Sequence, residues 1–294
     1  MRRAIQDGHE CELGETPGGA GDKESSAASP GRPPRLLASN GYRFGPKLGA
    51  PAEGWTTAEV LASDRKLLAE QTACLGERRD LSKRDAALYV LGSYAWGVGG
   101  PAIACHVLSR RVPDISPENV AVRFDGGYCE AALVRERFAV LPADPAAGHP
   151  GAVVVADEAV LLGWMRERLV AGVEPLLEGL RTFVRIGERA VRSRVADLAS
   201  RAFLTVAADT DDPMRHAADA ETFVTAPGSP LRGTTMFFVV ERGGERATFL
   251  TRGACCRAYR RPGHGHCDSC PMLTQEEREE RAIAQMAART GGRA

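Results

Sequence analysis

The sequence predicts an α+β protein: a mainly helical single domain with two β-hairpins and a C-terminal loop carrying four cysteines. Three observations lead there. Apolar residues recur at helical spacing through residues 157–206. Two stretches alternate apolar and polar residues around the glycine pairs Gly126-Gly127 and Gly243-Gly244. Four of the eight cysteines crowd into sixteen positions, as Cys255-Cys256, ten residues, then Cys267-Asp268-Ser269-Cys270. The other four, Cys11, Cys74, Cys105 and Cys129, stand singly.

The chain has 294 residues, of which 44% are hydrophobic, enough to fill a sizeable core. Lys+Arg and Asp+Glu are both 38, so the formal charge is zero, which argues against a general nucleic-acid binder. There is no Walker A loop, dinucleotide fingerprint or convincing hydrolase motif. The start, Met1-Arg2-Arg3-Ala4-Ile5-Gln6-Asp7, lacks the apolar core of a signal peptide. The expected location is therefore cytoplasmic, where cysteines serve metals or redox chemistry more than structural disulfides.

Residues 1–50 are rich in Gly, Pro and Ser and read as a disordered or loosely attached N-terminal tail, with His9 and Cys11 incidental. A helical and hairpin domain is expected over 51–250, and the cysteine loop with a terminal helix over 251–294. Thr56 with Glu59 reads as a capping box, followed by an apolar side of Val60, Leu61, Leu67, Leu68 and Leu75. Ser82 is a second N-cap. It opens a segment, Ala86 to Leu108, without Asp, Glu, Lys or Arg and long enough to span a bilayer. Gly92, Gly97, Gly99, Gly100 and Pro101 instead suggest two buried helical pieces broken at Gly99-Gly100-Pro101, and membrane contact that is at most peripheral. Cys105 and His106 are adjacent, so they do not share a helix face as joint ligands.

Residues 119–141 read as the first hairpin, with Cys129 packing on its second strand. A Gly/Pro-rich loop at 142–151 precedes Val153-Val154-Val155. In the helical stretch, Pro175 suits a first helical turn. Arg181, Arg185 and Arg189, with Arg192 beside them, form either a solvated face balanced by Glu178 and Glu188 or a basic pocket wall. Asp209 to Pro230 reads as polar and irregular. The second hairpin is expected over Thr234–Glu241 and Arg246–Thr251, with Phe237, Val239, Phe249 and Leu250 supplying its core contacts. Thr274 with Glu277 caps the terminal helix.

Four thiolates in so short a stretch suit a soft metal centre, either zinc in a four-sulfur site or an iron–sulfur cluster. The final pair has C-x-x-C spacing, with Pro271 setting the exit. The doublet counts against a zinc ribbon, which uses two C-x-x-C pairs, and leaves open a vicinal disulfide or redox dithiol. His264 and His266 sit on a Gly-flanked loop, but four cysteines already complete a ligand set. Arg252, Arg257, Arg260 and Arg261 crowd the stretch without an acid until Asp268. They either favour a reduced centre and anionic ligands or keep an exposed loop soluble. Tyr259 packs over the centre or supports the loop.

The pattern C-C-x10-C-x2-C, with Arg252 shortly before and Pro271 directly after, resembles the cluster motif of the FhuF-like ferric siderophore reductases. More general likeness runs over residues 55–285, through the second hairpin, the Arg-rich helix after Pro175 and the small-residue segment from Trp96 to Leu108. The resemblance implies a [2Fe-2S] cluster on Cys255, Cys256, Cys267 and Cys270, with electron transfer through the cluster. It implies an oxidoreductase of iron homeostasis that reduces imported Fe(III)–siderophore by one electron and releases Fe(II). Oxygen chelators hold hard Fe(III) far more tightly than Fe(II), so one electron loosens the iron. The partners implied are the Fe(III)–siderophore and an electron donor: a ferredoxin, a flavoprotein reductase or a small reductant. Trp96, Trp164 and the row from Arg181 to Arg192 are candidates for the chelate pocket. Two other readings stand beside this one: a structural zinc protein without a redox role, and a siderophore-binding or biosynthesis-related protein that kept the fold.

Overall fold

The computed structural model describes residues 54–125, 128–233, 235–260 and 263–291, with three two-residue strands nearer the N-terminus. Those strands are β1 (Ala38–Ser39), β2 (Tyr42–Arg43) and β3 (Lys47–Leu48). Apart from them, the expected tail lies outside the described residues, as do the Gly126-Gly127 turn, Thr234 and Arg261.

β4 (Thr56–Thr57) leads into α1 (Ala58–Ser63) and α2 (Arg65–Arg79). The cap is Thr57, not the expected Thr56: its hydroxyl accepts the Val60 N–H at 3.2 Å. Asp64 then caps α2 by accepting from Lys66 and Leu67, dividing what read as one helical pattern. Leu61, Leu68 and Leu75 turn inward, and Val60 is exposed.

α3 (Lys83–Ser109) overturns the expected break, because it runs unbroken through Pro101. Ser82 caps it as expected, accepting from the Asp85 N–H at 3.2 Å. Proline in a helix interior costs about 3 kcal/mol. Here Val90, Leu91, Tyr94, Val98 and Ile103 are all buried, each contributing about 1.5–3 kcal/mol. The glycines act as contact points. A Cβ at Gly97 would come 2.1 Å from the Cys129 carbonyl oxygen, and one at Gly99 3.1 Å from Leu169. α3 is thus the central helix of the core, and among the described residues no helix is long and apolar enough to cross a membrane.

β5 (Val112–Pro113) follows, then the hairpin of β6 (Val120–Asp125) and β7 (Tyr128–Leu133), paired from Val120↔Leu133 to Asp125↔Tyr128. β3 and β4 flank it, giving the order β3-β7-β6-β4, with β3 parallel to β7. β8 (Phe138–Val140) and β9 (Ala152–Val154) join β5 in a three-stranded sheet. Cys129 is buried against α3, as packing.

α4 (Glu158–Arg181) and α5 (Glu188–Ala207) fill the stretch expected to be helical. Pro175 lies inside α4 rather than in a first turn, because Leu161, Leu162, Met165, Leu169 and Val173 before it are already buried as helix. The Arg181–Arg185–Arg189 row is likewise broken. The chain leaves the helix after Arg181, buries Val184 and Ile186, and restarts at Glu188. α6 (Pro213–Thr225) occupies the segment expected to be irregular. Asp212 caps it, Pro213 stands at its first turn, and His216, Ala217, Ala220, Phe223 and Val224 make its buried stripe.

β10 (Met236–Arg242) and β11 (Glu245–Thr251) form the second hairpin, closing at Arg242↔Glu245. Val239 is exposed, contrary to expectation, and Val240 is buried instead. The reason is α7 (Gln275–Gly291), whose Ala282 and Met286 pack on Val240, Phe238 and Phe249. The Thr274–Glu277 box is reciprocal, at 2.7 and 3.2 Å. α5 and α6 lie against β11, and α5 against α3. The cysteine loop therefore springs from a strand already seated on the helical core.

Candidate functional site

The root of the loop is held by α5. Asp197, buried on that helix, accepts the Thr235 hydroxyl at 2.6 Å and the Gly253 N–H at 2.8 Å through one oxygen, and also bonds the Ala254 backbone. Burial raises its carboxyl above the ordinary value, against the lowering effect of these donors and of Arg252. The Arg252 N–H donates to the Ser269 carbonyl at 2.9 Å, tying the strand exit to the C-x-x-C turn.

The doublet is accommodated by an irregular backbone. Arg257 has φ of 60°, in the left-handed region, and its N–H turns back to the Cys255 sulfur at 3.3 Å. A short 3-10 turn, Ala258–Arg260, follows. On the far side the Cys270 N–H bonds the Cys267 carbonyl at 2.9 Å. The two halves of the loop bring their sulfurs toward each other. Cys256 and Cys267 are 4.0 Å apart, and Cys255 and Cys270 lie near enough to influence each other's charge. Among the described residues, no three His, Cys, Asp or Glu side chains converge as a ligand set for one ion. Cys270 is buried and the other three are partly so.

The electrostatics of the first pair are asymmetric. The Cys256 thiol is lowered well below the usual thiol value by its contact with Cys267, helped by the Ala258 N–H and by the charges of Arg252 and Arg194 against burial. Cys267 is pushed up, first by that same contact and then by burial. Cys255 is raised mainly by burial.

The loop arginines are not equivalent. Arg257 reaches Asp85 of α3 at 3.1 Å, an acid that a reading along the loop does not reveal. Arg260 is exposed. The Tyr259 ring lies 5.1 Å from that of His266, and both His264 and His266 are exposed. A small cavity of about 40 Å³ sits behind the doublet, walled by Tyr89, Arg194, Asp197 and Arg252. A wider groove of about 290 Å³ reaches Cys267 from the other side, between Arg201, Phe238, Phe249 and Arg278.

The remaining sequence candidates fall elsewhere. Trp96 and Trp164 pack against the main core, and Arg168 stacks on Trp164 at 3.5 Å. Arg181 and Arg192 line a separate groove of about 350 Å³ with Glu174, Glu178 and Glu188, so it is a mixed wall and not a basic one. Cys105 is buried, and its thiol is pushed up to about 12 by that burial. Its neighbour His106 turns to Asp219 at 3.4 Å and Arg110 at 2.7 Å, a buried polar cluster that sequence reasoning missed. Asp197 and Arg194 were missed as well. The available signal was a charged pair inside the apolar row of α5.

No family model matches the chain, and no curated protein does. A solved structure, that of aerobactin synthetase IucA from a hypervirulent pathotype of Klebsiella pneumoniae, is similar at a TM-score of 0.41 and 13% identity, over 64% of this chain and 34% of that one. This chain thus spans about a third of that protein's length, and a likeness so low says nothing of site or activity.

Proposed function

We propose that Cys255, Cys256, Cys267 and Cys270 hold a [2Fe-2S] cluster, and that the protein is a one-electron ferric siderophore reductase of the FhuF-like kind. The observation that carries this reading is the approach of the doublet to the C-x-x-C pair, with Cys256 and Cys267 4.0 Å apart across the loop. Two thiolates on one tetrahedral metal at about 2.3 Å stand about 3.8 Å apart, close to the 4.0 Å between Cys256 and Cys267. A binuclear centre needs two sulfurs on each metal, whereas a single zinc needs all four at one ion.

When bound, the cluster supplies a one-electron carrier matched to the Fe(III)/Fe(II) step. The chain's own residues do the rest. Asp197 and the Arg252 N–H fix the two halves of the loop. Arg252 and Arg194 place positive charge at Cys256. The groove at Cys267 leaves one edge of the site open to an acceptor. The partners proposed are an Fe(III)–siderophore and a cytoplasmic electron donor.

Purified anaerobically, the protein should be reddish-brown with about two irons and two sulfides per chain. Once reduced, it should pass one electron per cluster to a ferric hydroxamate or catecholate chelate, with Fe(II) trapped by a ferrous chelator. Cys256→Ser and Cys267→Ser should each abolish or severely alter the visible absorption. A colourless protein holding a single zinc ends the proposal. A normal cluster that leaves every ferric chelate oxidised would favour a siderophore-binding or regulatory role.

A further inference from the structure

One charge at the cysteine doublet comes from the helical core rather than from the loop. Arg194 leaves α5 three residues before Asp197, and its guanidinium packs against α3 at Gly92. A Cβ on residue 92 would stand 2.6 Å from Nε and 3.1 Å from Nη2, so a side chain there must shift the guanidinium. The Tyr89 ring faces the guanidinium at 4.6 Å. Nε is closed off from solvent and has no hydrogen-bond partner among the described residues. Burial and the like charge of Arg252 weaken its hold on the proton, yet a guanidinium stays charged throughout the working pH range. Arg194, Cys255 and Cys256 all wall the same small cavity. A buried charge acts through a low-dielectric path with little screening. Arg257, in contrast, is paired with Asp85, and Arg260 is exposed.

We propose that Arg194 is a positioning residue that sets the electron affinity of the centre at the doublet, as a fixed interior cation favouring the reduced state. The proposal rests on the reading above that the loop holds a cluster. Reduction adds one electron, taken from an external reductant, and breaks no bond. The centre gains one negative charge, and a neighbouring cation that need not move stabilises that state more than the oxidised one. Gly92 is part of the device, because a side chain there displaces the guanidinium.

The test is an anaerobic titration of the cluster-loaded protein with dithionite and redox mediators, read from the visible absorption. Arg194→Gln should make the reduction equilibrium at least tenfold less favourable, about 59 mV for a one-electron couple. Arg194→Lys should recover most of that loss, and Arg260→Gln should not move it. Gly92→Ala, which keeps the charge but shifts it, should move the equilibrium in the same direction as Arg194→Gln. It decides the matter if the glutamine variant fails to fold. A loaded Arg194→Gln or Gly92→Ala protein with an unshifted potential overturns the proposal, reducing Arg194 to a packing role. A wild-type protein that takes up no cluster overturns the reductase reading instead.

Discussion

Truncating Asp197 to alanine tests whether one buried carboxylate holds the root of the cysteine loop. The substitution removes the acceptor for the Thr235 hydroxyl at 2.6 Å and the Gly253 N–H at 2.8 Å, besides the bond to the Ala254 backbone. Thr235 and Asp197 are both buried, so water does not readily replace the acceptor. Each buried donor left unpaired costs about 1–3 kcal/mol, about 2–6 for Thr235 and Gly253 together. Relief of the carboxylate's own desolvation, visible in its raised pKa, returns part of that, leaving a net loss of about 2–4 kcal/mol. The assay is anaerobic urea unfolding followed by circular dichroism, with a lower midpoint at constant slope. Asp197→Asn keeps one oxygen acceptor and should lose about 1 kcal/mol. The pair also has a pH signature. A carboxyl raised on folding contributes stability that is complete below its unfolded value and lost as pH climbs through its folded value. The advantage of wild type over the Asn variant should therefore shrink as pH rises from about 4 and level off above the raised value. An Ala variant within about 0.5 kcal/mol of wild type, with iron content unchanged, would refute the anchoring role.

Two further outcomes follow from the packing. Gly97→Ala places a Cβ 2.1 Å from the Cys129 carbonyl oxygen, so α3 and β7 must separate; a loss of about 3 kcal/mol is expected in the same unfolding assay, and wild-type stability would contradict the close approach. Asp219→Asn weakens the partner of Arg110 at 2.6 Å and His106 at 3.4 Å and should cost about 3 kcal/mol near neutrality. Although burial pushes the Asp219 carboxyl up, the hydrogen bonds from His106 and Arg110 and the Arg110 charge hold it well below the carboxylate range. Its contribution is thus present above the unfolded value and lost as pH falls toward the folded one, so the wild-type advantage should fade on acidification below about pH 4.

What the sequence reveals follows how local the physics is. Both hairpins were legible, because a glycine pair between alternating strands fixes the register within a few residues, as Arg242↔Glu245 shows. The Thr274–Glu277 cap was legible for the same reason. Gly97, Gly99 and Pro101 misled, because their local meaning is helix breaking, whereas α3 uses them where β7 and α4 come close. Pro175 inside α4 is the same tertiary override. α6 was an avoidable miss. Its stripe at 216, 217, 220, 223 and 224 has helical spacing, hidden by the polar residues between. The cysteines stood out by spacing, but Asp85, Arg194 and Asp197 did not. They lie 172, 62 and 56 residues from their loop contacts, and even a charged pair in an apolar row does not say which distant residue it meets.

Those distant partners explain how an irregular loop can present four sulfurs in a defined arrangement. The loop is fixed at its root by Asp197 from α5 and at the doublet by the Arg257–Asp85 pair from α3. At its far end α7 takes over: Arg281 donates to the His266 carbonyl at 2.7 Å and Arg278 to the Leu273 carbonyl at 2.7 Å. Three helices thus each hold a different segment. A donor set preorganised in this way loses little conformational freedom when it takes up a ligand. Its supports are side chains of packed helices, which hold its shape. The same arrangement places Arg194 and Asp197 a single turn apart, so one stretch of α5 supplies both the anchor of the loop and the interior charge beside it. A substitution that shifts α5 against α3 should therefore alter sulfur spacing and electrostatics together, while changes confined to the exposed tip around His264 should alter neither.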